Sequence, residues 1–177
     1  MEIAQDAYLL FVNRAIDGMV AIVGELGDPL ASAQPELPGA NSPQVILQHC
    51  LAVLDYWGGH VVAGRDVHRD RTAEFRPRGT VSALISAAAA ARQQFADDLA
   101  AAEPGAPVRR PPLASTWQGP ELPTQGHALL HILAELAQHH GQAELTRDIL
   151  RERLHAGGAG GAGGADGAGG AGGAGDS

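Results

Sequence analysis

In four stretches of the chain the large apolar residues recur every three or four positions, the spacing that gathers them on one face of an α-helix. The first stretch carries Leu9, Val12, Ile16, Met19, Val23 and Leu26, and Gly27-Asp28-Pro29 interrupts it, which predicts a helix over roughly 5–26. A linker over 27–41 holds three of the eleven prolines and leads to Asn41-Ser42-Pro43, where Ser42 suits an N-cap and Pro43 the first helical position. From there a second helix runs to about Ala63, with Val45, Ile46, His49, Val53 and Tyr56 or Trp57 on its apolar face. Gly79-Thr80 precedes the third, in which Val81, Leu84, Ala88, Phe95 and Leu99 share a side before Pro104-Gly105 ends the pattern. The fourth starts near Pro123-Thr124 and continues to about Leu154. Gly141 in its interior costs about 1 kcal/mol against Ala, so either the helix is long enough to absorb it or something approaches its backbone closely. No stretch carries a strand signal, and the expected class is all-α, a four-helix bundle.

Beyond the fourth helix the pattern stops. Residues 156–177 are Gly, Ala, Asp and Ser alone and take twelve of the 24 glycines. Without a large apolar side chain such a segment cannot offset its ordering entropy, so a disordered low-complexity tail over 156–177 is expected to follow one domain over 1–155. The rest is rich in Ala and Leu, with seven aromatic residues in all, a composition that favours helices over a sheet sandwich. Twelve basic residues against 20 acidic ones leave a charge of −8, which phosphates would repel, so no nucleic-acid partner is expected. Every basic residue is Arg; the absence of Lys beside so much Ala and Gly suggests GC-rich codons and removes Schiff-base and phosphate-loop lysine chemistry. Cys50 is the single cysteine, which precludes an internal disulfide and fits a reducing compartment. Glu2 and Asp6 stand where a secretory signal would be basic, and no uninterrupted apolar run reaches the roughly 18 residues of a membrane span. A cytoplasmic location without membrane contact is the expectation.

Histidine changes this picture from a fold to a chemistry. Five of the eight, at 49, 127, 131, 139 and 140, lie in or beside apolar helical stripes, where a polar group requires a partner. Glu135 and His139 are four residues apart, which stacks them about one turn from each other, as two side chains gripping one ion would be. His49, inward on the second helix, supplies a third ligand if the two helices are neighbours. Two imidazoles and one carboxylate with open positions suit zinc in a hydrolytic or thiol-activating role, and also nickel, iron or manganese. The helical wheel leaves His139 and His140 at similar angles on either side of the stripe, and only the spacing from Glu135 prefers His139. A plainer arrangement pairs His140 with Glu144 and His131 with Glu135 and leaves His49 a core histidine bonded to a carbonyl or water. Cys50, one residue from His49, points about 100° away from it and reads as a small buried hydrophobe.

Arg65, Arg69 and Arg71, with Arg76 and Arg78 nearby, form the dense positive cluster of an acidic chain. Arg69 and Arg71 are candidates for holding an anionic or carboxylate-bearing thiol cofactor bidentately. The interleaved Asp66, Asp70 and Glu74 can instead neutralise the cluster in local ion pairs, each worth little. Trp57 and Trp117 fit either core packing or pocket lining.

The segment HALLHILAELAQHHGQAELTRDIL resembles the last helix of the DinB-like superfamily, in which the motif E/H-x-x-x-H-x-G-H/Q closes a four-helix bundle. NSPQVILQHCLAVLDYW resembles its second helix, and GRDVHRDRTAEF resembles the loop of the actinobacterial branch related to mycothiol transferases and mycothiol-dependent maleylpyruvate isomerase. The resemblance covers about residues 5–154 and implies His49, Glu135 and His139 as metal ligands, the trio that spacing also proposes. It further implies a low-molecular-weight thiol co-substrate, transferred to an electrophile or added reversibly to isomerise a double bond. Gln142 stands where many mycothiol-using relatives have a second histidine, a departure that touches the thiol and the reaction more than the metal. The expected activity is thus a metal-dependent thiol transfer whose partners are the thiol and an electrophile, with homodimerisation left open. A metal-dependent hydrolase, or a non-enzymatic stress-related bundle with a structural metal, are the alternatives; structural zinc would recruit a fourth side chain such as His131.

Overall fold

The computed structural model describes residues 3–159 apart from 115, 118, 120 and 122, and no strand occurs among the described residues. Helix α1 spans Gln5–Ala31, and α2 spans Pro43–Val53 and continues as a π-helical segment over Leu54–Ala63. A single turn, α3, occupies Arg71–Glu74, followed by α4 over Val81–Ala100 and α5 over Gln125–Ala159. The fold class is all-α, as the periodicity predicts. The expected disordered tail lies outside the described residues from 160 onward, while the backbone of 156–159 continues α5.

Helix starts follow local chemistry. Ser42 accepts from the Val45 amide at 3.3 Å with Pro43 at the first helical position, Thr80 accepts from Ala83 at 3.2 Å, and Asp70 accepts from Ala73 at 3.0 Å. Helix α1 breaks at the predicted place and then resumes for one turn containing Pro29. Gly27 adopts φ 67°, ψ 171°, a conformation open essentially to glycine alone. The break turns Asp28 toward the start of α4, where its Oδ1 accepts from the Val81 amide at 2.5 Å and sets a negative charge on that helix N-terminus.

Both α1 and α2, with its π-helical continuation, pack against α4 and α5, which do not pack against each other. As the spacing predicts, Val12, Ile16, Met19 and Val23 on α1 and Val81, Leu84, Ala88, Phe95 and Leu99 on α4 are buried, with Leu9 only half-buried, and they meet Leu129, Ile132, Leu136 and Ala143 of α5 in one core. Helix α1 is long and apolar enough to cross a bilayer by length and composition, and here that apolar face closes the core. The π-helical segment and the one-turn α3 are elements periodicity did not predict. The π-helical segment runs on from α2. It buries Tyr56, Trp57, Gly58 and Gly59 consecutively. Gly58 is required there, because a Cβ would stand 2.5 Å from the Phe95 ring.

Candidate metal centre

Helix α2 carries His49 at its middle on the face turned to α5, and α5 presents Glu135 and His139 one turn apart on the facing side. The Nε2 of His49 stands 3.6 Å from Glu135 Oε2, and the Nε2 of His139 stands 3.5 Å from the same oxygen. The His49 and His139 rings meet edge to face with centroids 4.8 Å apart. One ligand atom from each of the three lies within 4.8 Å of the other two. Ligand atoms at about 2.1 Å from a tetrahedral ion stand roughly 3.4 Å from one another, so the carboxylate-to-imidazole distances match a shared ion better than direct hydrogen bonds. The His49 side chain is 6% exposed while Glu135 and His139 are 29% and 25% exposed, so the cluster is closed behind α2 and open beside α5. Among the described residues, no fourth His, Cys, Asp or Glu joins this trio.

Each imidazole has its second nitrogen engaged. His49 Nδ1 lies 2.8 Å from Glu74 Oε2, and His139 Nδ1 lies 2.8 Å from Gln142 Oε1. Glu74 in turn accepts from Arg69, Nε to Oε1 at 2.6 Å and Nη2 to Oε2 at 2.9 Å. Burial disfavours ionisation of Glu74, but the hydrogen bonds from His49 and Arg69 outweigh it and hold the carboxyl down to about 2. The His139 and His49 imidazoles beside it hold Glu135 well below the usual carboxylate range despite burial. Burial also disfavours charge on His49, yet the Glu135 and Glu74 carboxylates on its two sides raise its pKa. Burial pushes the Cys50 thiol up, with Glu135 adding to the effect, so this fully buried residue is no thiolate nucleophile.

The remaining histidines and arginines separate clearly. His140 turns to α1, where its ring occupies the space a side chain at Gly18 would fill, and its Nε2 stands 3.9 Å from Glu144, the plain pairing. His131 packs edge-on against Trp57 and Trp117, with ring centroids 4.4 and 4.7 Å away, and burial lowers its pKa. His127 bonds to Thr124 at the start of α5. Arg65 is neutralised by Asp98 at 2.8 Å and Asp55 at 2.7 Å. The Arg69 side chain is 4% exposed and committed to Glu74, while Arg71 is exposed and donates from Nη1 to the Thr116 carbonyl at 3.1 Å. Of the interleaved acids, Asp66 pairs with Arg110, Asp70 caps α3 and Glu74 pairs with Arg69, so none of the three pairs with Arg71. Sequence spacing gave Glu74 no link to His49, 25 positions earlier, because the contact depends on a one-turn helix docking onto α2.

Two comparisons bear on this arrangement. No curated protein matches the chain. The family model described as Mycothiol-S-transferase matches residues 8–156, a span that holds the trio, Glu74 and the arginine loop, and the chain belongs to that family.

Proposed function

We propose that the protein is a metal-dependent transferase that joins a low-molecular-weight thiol of the mycothiol kind to an electrophile, with one divalent ion held by His49, Glu135 and His139. The observation that carries this reading is the convergence of the three ligand atoms within 4.8 Å on facing helices, with one side left accessible. Two nitrogens and one carboxylate oxygen suit zinc first among divalent ions, and a three-ligand set leaves room for a reactant as catalytic sites do. A bound ion with a free position would stabilise thiolate over thiol, and the thiolate is the nucleophile. His49 forms the closed wall of the site, Glu135 brings the negative charge, and the α5 side admits the reactants. In the exposed loop, Arg71 offers guanidinium donors to anionic or oxygen-rich parts of the thiol. The nucleophile comes from the co-substrate, since Cys50 is buried and held as the thiol.

Metal analysis together with mass spectrometry of thiol adducts tests the reading. About one ion per chain is expected, lost in His49→Ala and His139→Ala and retained in His140→Ala. Adduct formation with an electrophile panel should require both the ion and the thiol. Undiminished adduct formation by metal-stripped protein overturns the proposal, and ester or amide cleavage without thiol replaces it with hydrolysis.

A further inference from the structure

The loop between the π-helical continuation of α2 and α4 has one buried side chain on its short helix α3, and that side chain is a carboxylate. Glu74 is 6% exposed and reaches His49 from the side opposite Glu135. Its turn is fastened to α2 by the residue next to His49: Gln48 Nε2 donates to the carbonyls of Ala73, Glu74 and Arg76 at 3.2, 2.9 and 3.1 Å. One helical turn earlier, Gln44 Nε2 donates to the carbonyls of Arg78 and Gly79 at 3.0 and 3.1 Å. Arg69 then holds the carboxylate through both of its oxygens. An ionised carboxylate only accepts hydrogen bonds, so the His49 nitrogen facing it carries the hydrogen. In the neutral ring the other nitrogen, Nε2, then presents its lone pair toward Glu135 and His139.

We infer that Glu74, fixed by Arg69 and by Gln48, is the positioning residue of the metal centre: it keeps the hydrogen on His49 Nδ1 and aims Nε2 at the ion. The inference rests on the trio being a metal site, and it assigns to Arg69 a place behind the ligand. Loss of such an outer partner weakens metal binding by about 10–100-fold in well-characterised sites. Glu74→Gln is the informative change because the shape is kept and the hydrogen-bonding is not. A side-chain amide has one accepting atom and one donating one where Glu74 receives three N–H groups. In either orientation its NH2 confronts Arg69, and at the Oε2 position it also donates to His49 Nδ1 and drives the hydrogen to Nε2.

The test is zinc titration of the full chain against a chromophoric chelator for the wild type, Glu74→Gln and His49→Ala, with 15N NMR of the histidine rings in the zinc-loaded wild type. The expected result is about one zinc per wild-type chain, none retained by His49→Ala, and roughly 10–100-fold weaker binding by Glu74→Gln. The NMR spectra should show zinc on Nε2 of His49 and a slowly exchanging hydrogen on Nδ1. Absence of zinc uptake by the wild type, or full uptake by His49→Ala, removes the metal reading itself. Zinc affinity of Glu74→Gln within twofold of wild type, or zinc on Nδ1 of His49, overturns the inference and leaves the metal reading standing. The ring spectra need no variant, so they decide the matter even if Glu74→Gln does not fold.

Discussion

Two helical glycines predict opposite results for the same substitution. At Gly58 a new Cβ stands 2.5 and 2.7 Å from two carbons of the Phe95 ring, which is itself 2% exposed and has no room to withdraw. Gly58→Ala should therefore destabilise the protein by about 1–3 kcal/mol. At Gly141 a Cβ meets nothing within 4 Å, so the long α5 simply absorbs the glycine. Gly141→Ala should stabilise by about 0.5–1 kcal/mol. Urea denaturation of both variants measures the two signs side by side, and equal signs would show that the local packing has been misread. The choice between His139 and His140 belongs to this scale too. Spacing from Glu135 pointed to His139, but the reason His140 has somewhere else to go is Gly18 on α1, far away in the chain, and nothing in the fourth helix carries that information.

At the scale of elements, the signals that were legible are those written within a few residues. Ser42, Thr80 and Gly27 fix the helix starts and the α1 break by hydrogen bonds and backbone freedom of their own. The π-helical widening over Leu54–Ala63 and the one-turn α3 were not legible: the first leaves no mark in the spacing of apolar residues, and the second depends on the α2 glutamines that hold its carbonyls. The same segment carries Tyr56, whose hydroxyl meets the loop after α4 and accepts from the Leu113 amide at 2.9 Å and from Thr116 Oγ1 at 3.1 Å. Arg71 holds the same loop through the Thr116 carbonyl, and Trp117 packs against Trp57 and His131. Tyr56→Phe leaves the Leu113 amide and the Thr116 hydroxyl without this partner and should cost about 1–3 kcal/mol. Hydrogen exchange at Leu113 should quicken while exchange in α1 changes little; uniform acceleration through the protein would mean the hydroxyl supports the whole fold rather than this loop.

For the whole molecule, an ion held as proposed ties α2 to α5 and so draws together positions 49 and 135 of the chain. Because the unfolded chain has no such preformed site, metal binding adds to folding stability with the logarithm of free ion over its dissociation constant. At 100 times that constant the gain is about 2.7 kcal/mol, so stripping the metal should lower the melting temperature by roughly 5–10 °C. Calorimetry with and without chelator, using His139→Ala as the control that should not respond, measures this. The three side chains of the proposed site are set apart by helix packing rather than by a continuous loop, so with an ion bound the seam between α2 and α5 would act as the bite of a chelating agent. Ile46 and Val53 on α2 and Ile132 and Leu136 on α5 belong to the core that these packed helices share, and that core would hold the bite at its width. Enlarging or trimming these side chains should therefore change which divalent ion the protein prefers before it changes how firmly the helices hold together.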